Sequence, residues 1–136
     1  MQKSYINRFN SYKNSLASLI EAKDLDKNNS FILSGTAMKY NLTVDIAWKL
    51  MSDIIREEHK ITDFATGSPK ETLKKAKSLG IIEDDIWLNM IDDRNNLTHD
   101  YDYKLIDNLF DVIINEYIPI LKKFENKVDE IVKIND

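Results

Sequence analysis

Apolar residues recur along this chain at helical intervals. Tyr5, Phe9, Tyr12, Leu16 and Leu19 follow steps of four, three, four and three, the spacing that lines up one stripe of an α-helix. The polar run DLDKNNS at 24–30 breaks the pattern, and Asn29 or Ser30 is placed to cap the next helix by accepting a backbone N–H bond. From there to about His59 the pattern is helical again. Met38, Leu42, Ile46, Leu50 and Ile54 are expected to form its inner row, with Trp48, Met51 and Ile55 widening it. Gly35 weakens the early turns by about 1 kcal/mol relative to alanine.

The next boundary is sharper. SPKE at 68–71 supplies a serine N-cap, a proline at the first helical position and a glutamate that completes a capping box. The helix it starts should stop at Gly80, which suits the left-handed conformation that ends helices, with Ile81 packing back over the last turn. Asp84 or Asp85 opens a fourth helix. A fifth begins near Asp102 and carries Leu105, Leu109, Val112, Tyr117, Leu121, Phe124 and Val128 on a broad face, with a bend expected at Pro119, which lacks a donor. Five helices with short connections predict an all-α antiparallel bundle, a single domain over 1–136. The second and fifth helices are long and widely apolar, which suggests a homodimer.

Composition narrows the function. A chain of 136 residues, 43% hydrophobic and 31% charged, can bury one core. Without cysteine there is no disulfide framework and no thiolate metal site, and two histidines forty positions apart do not suggest a zinc site, so no metal or cofactor is expected. No glycine-rich phosphate loop is visible. Asp84-Asp85 and Asp92-Asp93 read as capping and solvation, and Trp48 and Trp87 as core. The opening MQKSYINRFN lacks an apolar signal core, and the uncharged run NNSFILSGTAM is too short to span a bilayer. The expected compartment is the cytoplasm, with no membrane contact. A net charge of -4 argues against coating nucleic acid through counterion release alone, so any RNA contact must be local.

The chemistry gathers in DDRNNLTHDY at 92–101. At 100° per residue, Ile86, Trp87, Met90, Ile91, Leu97 and Thr98 share one side of the fourth helix, and Arg94 falls among them. An arginine on an apolar stripe ordinarily snorkels to a carboxylate, and a histidine near a helix end ordinarily meets the last carbonyls. The pair is less ordinary. Five helical residues separate Arg94 from His99 by about 140°, so they cannot share a face on an intact helix. Asn95, Asn96 and Thr98 compete for backbone hydrogen bonds, which predicts fraying near Thr98 that swings the imidazole round. Alternatively, two symmetry-related copies supply complementary partners across a dimer cleft.

R94-N95-N96-L97-T98-H99 resembles the RxxxxH signature of HEPN domains, and D100-Y101 extends it to RxxxxHxY. The longer form is similar to HEPN proteins encoded beside minimal nucleotidyltransferases, including those called nucleotidyltransferase substrate-binding proteins. The likeness continues through YNLTVDIAWKLM, SPKE, LGII and DDIWLNMIDDRNNLTHDY, covering roughly residues 38–121. It departs at Tyr40-Asn41-Leu42-Thr43, where the group has a phenylalanine-rich start, and at Leu97-Thr98, where it has Thr-Ser. His59, three residues after Arg56 and with no tyrosine two positions on, matches nothing and reads as a solvated helix end.

The resemblance implies a dimeric helical bundle and a metal-independent ribonuclease whose site forms where two protomers meet. The residue types suit that chemistry. A histidine titrating near pH 6.5 can take the 2′-hydroxyl proton or supply one to the leaving oxygen, and a guanidinium forks onto two phosphate oxygens. Arg94 and His99 are then the catalytic pair. Asn95 is a candidate to hold His99 or the phosphate, and Asp93, with Asp92, a candidate to orient Arg94. The resemblance further implies that Tyr101 accepts AMP from a nucleotidyltransferase antitoxin, which would block the cleft and repel RNA. Two other readings stand beside this one: a non-catalytic substrate-binding subunit or scaffold for the nucleotidyltransferase, and a bundle that assembles through its apolar faces with the motif an accident.

Overall fold

The computed structural model describes residues 3–63, 67–99 and 103–135. Among them every regular element is helical: α1 (Ile6–Ile20), α2 (Ser30–Glu58), α3 (Pro69–Ser78), α4 (Ile86–His99), α5 (Tyr103–Val112) and α6 (Ile118–Asn135). A 3₁₀ turn, Glu21–Asp24, extends α1, and a π-helical turn, Ile113–Tyr117, joins α5 to α6 without a break. The bundle therefore has five helical rods, the last made of α5, the π turn and α6.

Local signals set most boundaries where the sequence places them. Asn29 caps α2 by accepting from Phe31 N at 2.9 Å, and Ser68 caps α3 by accepting from Glu71 N at 3.3 Å. Gly80 ends that helix at φ 76, letting Ile81 N reach back to Ala76 O at 2.9 Å while the Ile81 side chain is buried. Pro119 lies just past a local change in the helix. Its ring would crowd the carbonyl of Asn115, and the π turn that ends at Tyr117 widens the helix over this stretch.

Cross-helix pairs give the directions. Arg8–Asp53, Ser15–Thr43 and Glu21–Lys39 make α1 antiparallel to α2. Lys70–Asp92 and Lys77–Asp85 do the same for α3 and α4, and Trp87–Phe124 with Asp93–Tyr117 for α4 and the rod that the π turn and α6 form. The long α2 packs against α1, α3, α4 and α5. Between them lies a core with Tyr12, Tyr40, Leu50, Ile54, Trp87, Met90 and Phe124 all buried. Tyr12 donates to Leu121 O and Tyr40 to Met90 O, each at 2.7 Å, so both phenols enter the core with their hydroxyls satisfied. No helix among the described residues is long and apolar enough to cross a membrane.

The inner row of α2 departs from expectation. Leu50 and Ile54 are buried, but Met38 is 72% and Leu42 53% exposed, and Leu33, Ala37, Tyr40, Val44 and Ala47 face the core in their place. A row of four-residue steps advances about 40° per step, so a row from 38 to 54 winds some 160° around the helix and cannot lie on one face. Trp48 is also only partly buried, because its indole N–H turns to a carboxylate at the helix surface.

Candidate functional site

Arg94 projects from the buried side of α4 into the seam with α2, among Trp87, Met90, Ile91 and Leu97. Its side chain is 27% exposed. Nη2 meets Asp45 Oδ1 at 3.3 Å and Nη1 donates to Asn95 Oδ1 at 3.1 Å. Nε is buried and has no hydrogen-bond partner. A guanidinium carries five N–H donors, one on Nε and two on each Nη. Two of the five are engaged and Nε is sealed from solvent, which leaves the second hydrogen on each Nη for an incoming acceptor.

Asp45, which sequence reading did not single out, is the anchor. Besides Arg94 it accepts from Trp48 Nε1 at 3.2 Å and pairs with Lys49 Nζ at 2.9 Å. Trp48 and Lys49 follow it by three and four positions, the spacing that makes helix residues neighbours. A lone acid inside YNLTVDIAWKLM, followed at that spacing by an indole and an ammonium, was the available signal. The acids expected to orient Arg94 are engaged elsewhere: Asp92 pairs with Lys70 at 2.9 Å, and Asp93 accepts the Tyr117 hydroxyl. Tyr117 stacks on Tyr40 with ring centroids 5.7 Å apart. Burial, then the hydrogen bond to Asp93, pushes the Tyr117 phenol well up from its usual range.

His99 lies in the last turn of α4, exposed, with no hydrogen-bond or ion-pair partner among the described residues. The helix runs unbroken from Ile86 to His99. The expected fraying near Thr98 does not occur, because Thr98 Oγ1 donates to Arg94 O at 2.9 Å within the helix rather than unwinding it. Arg94 and His99 therefore stay about 140° apart around one helix. Asn95 binds Arg94 rather than His99. Tyr101 lies outside the described residues.

All three arginines meet carboxylates of α2: Arg8 and Arg56 share Asp53 at 2.7 and 2.8 Å, and Arg94 takes Asp45. His59, exposed just beyond α2, lies outside this ladder, as its lack of a motif predicts.

Comparisons with known proteins bear on the whole chain. A family model described as "Nucleotidyltransferase substrate binding protein like" matches residues 7–130. A crystal structure of a Thermus thermophilus protein superposes with a TM-score of 0.69 at 22% identity, over 89% of this chain and 98% of the other; that likeness concerns the fold. A search of proteins with curated functions gives no significant match.

Proposed function

Because the chain belongs to the nucleotidyltransferase substrate-binding-protein-like family, we propose that it is the helical partner of a nucleotidyltransferase and a ribonuclease that cuts RNA without a metal. The observation that carries this reading is Arg94, a guanidinium held half-buried at the α2–α4 seam with one hydrogen on each Nη unused. Arg94 grips the scissile phosphodiester and stabilises the charge that builds on it. His99 takes the 2′-hydroxyl proton; the O2′–P bond forms, the P–O5′ bond breaks, and the imidazolium or water protonates the leaving 5′-oxygen. DNA, lacking the 2′-hydroxyl, is spared.

One α4 cannot bring both groups to one phosphate, since about 140° separates them on an intact helix. In this reading a homodimer closes the site: Arg94 of one protomer and His99 of its twofold mate face the same phosphodiester. Asn95 and Asp45 hold the guanidinium, and Asp93 acts at one remove by fixing Tyr117 against α4. The nucleotidyltransferase is the antitoxin. It transfers AMP from ATP to the Tyr101 hydroxyl with release of pyrophosphate, placing a phosphate and an adenosine two residues from His99 and shutting out RNA. The cell compartment is the cytoplasm, where RNA and partner meet.

Purified protein incubated with RNA in excess chelator tests the reading. Cleavage by the wild type and its loss in Arg94→Ala and His99→Ala are expected; intact RNA with wild type, or equal cleavage by both variants, rejects it. The scaffold reading draws on a different observation, that every arginine is already paired with an α2 carboxylate on a chain of net charge -4. A chain that copurifies with its nucleotidyltransferase and leaves RNA whole has that role instead.

A further inference from the structure

Arginine is long and flexible, and a guanidinium that is to grip a phosphodiester in one orientation needs a fixed support. Asp45 has the makings of that support before Arg94 arrives. Its two oxygens are held from its own helix, Oδ1 by Trp48 Nε1 at 3.2 Å and Oδ2 by Lys49 Nζ at 2.9 Å, and its side chain is 24% exposed. On α4, Asn95 Oδ1 takes the other Nη of Arg94. With one hydrogen on each Nη fixed by an acceptor, the guanidinium plane is set, and the second hydrogen on each Nη remains, Nε being buried.

We infer that Asp45 is the positioning residue of Arg94: it fixes the guanidinium plane across the α2–α4 seam so that the remaining donors meet a phosphate oxygen in one geometry. The inference rests on the reading of Arg94 as the phosphate-binding group. It carries a signature that a merely structural ion pair lacks. A carboxylate beside a bound phosphate repels it, so removing the charge strengthens anion binding while loosening the aim of Arg94. Binding and turnover then move in opposite directions.

The full-length protein is suited to the test because it has three arginines, so the Nε–Hε region of a ¹⁵N spectrum holds three signals, and Arg94→Lys identifies one of them. Inorganic phosphate and a short RNA with 2′-O-methyl groups, which cannot be cleaved by 2′-hydroxyl attack, serve as probes. In the wild type the Arg94 signal shifts saturably with each probe. In Asp45→Asn, which keeps the shape of the side chain, both probes bind at least as tightly but the Arg94 signal broadens. For cleavable RNA its kcat falls by about tenfold to a hundredfold with KM unchanged or lower, and Asp45→Glu recovers part of the loss. An Arg94 signal that ignores both probes in the wild type, or an Asp45→Asn protein with wild-type kcat, overturns the inference. The ribonuclease reading fails separately. Wild type that leaves ordinary RNA intact, yet shows the probe-dependent Arg94 shift and its broadening in Asp45→Asn, overturns the nuclease and supports Asp45 as the support of Arg94.

Discussion

The middle of α4 and its last turn carry the two halves of one motif in opposite surroundings. Arg94 is wedged against the core, held by Asp45 and Asn95, with Nε out of reach of solvent. His99, five residues on, stands exposed with no partner among the described residues. A group fixed by the fold and a group merely displayed by it differ in what their removal does: the first takes stability and chemistry together, the second chemistry alone.

Catalysis should show the largest effect and treat the two alike. His99→Ala is expected to slow metal-free RNA cleavage by about 10²–10⁴-fold, the range for losing a general acid or base. Arg94→Ala should cost about 10²–10³-fold as a lost transition-state donor. Initial rates on a labelled RNA in chelator measure both. A variant at wild-type rate removes that residue from the site.

Stability should then split the two ends of the helix. Trp87→Ala, one face with Arg94 and edge-on to Phe124 at 5.6 Å, is expected to lose about 3–5 kcal/mol in urea unfolding, as large aromatics removed from cores do. Arg94→Ala should lose about 1–2 kcal/mol, by leaving a partly buried Asp45 without its cross-helix donor. His99→Ala should stay within about 0.5 kcal/mol of wild type, as exposed substitutions do. Equal losses for Arg94 and His99 would erase the contrast between the fixed and the displayed group.

A last difference is silent at neutral pH. Burial pushes the Tyr12 and Tyr40 phenols well up, and pushes Tyr5 up to about 12 with Glu58 and Glu57 adding to it. A phenol whose folded pKa lies above its unfolded value of about 10 contributes stability that is complete below about pH 10 and fades as the pH climbs towards the folded value. The urea midpoint should therefore hold steady up to about pH 10 and fall above it, with phenolate absorbance from these tyrosines appearing together with unfolding. Phenolate from these residues appearing near the ordinary phenol value in a still-folded chain would contradict their burial.

Much of this was legible in the sequence wherever the cause is local. Ser68, Pro69 and Gly80 fix the ends of α3 by hydrogen bonds and backbone angles that span only a few residues, and Arg94 announces its seam by lying among Trp87, Met90 and Leu97. Longer-range causes were not legible. The drift of a four-residue row shows that Met38, Leu42 and Leu50 cannot all face inward, but which of these equally apolar residues does is decided by long-range contacts such as that of Tyr40 with Met90 O on α4. Asp45 lies 49 positions before Arg94, so their pairing exists only in the folded bundle. The ending of α4 differs from expectation because Thr98 can bond its hydroxyl to a carbonyl either in or out of a helix, and here it stays in.

The proposed twofold site would require Arg94 and His99 to act on one phosphate from different protomers. Arg94→Ala and His99→Ala proteins, each inactive alone, should be mixed, exchanged through mild denaturant and assayed on RNA in chelator. A shared site predicts that random pairing recovers about a quarter of wild-type activity, since half the dimers are mixed and each of those holds one intact site of two. Two variants that separately abolish cleavage and recover nothing when mixed would show that both groups act within one chain, and would contradict the twofold site.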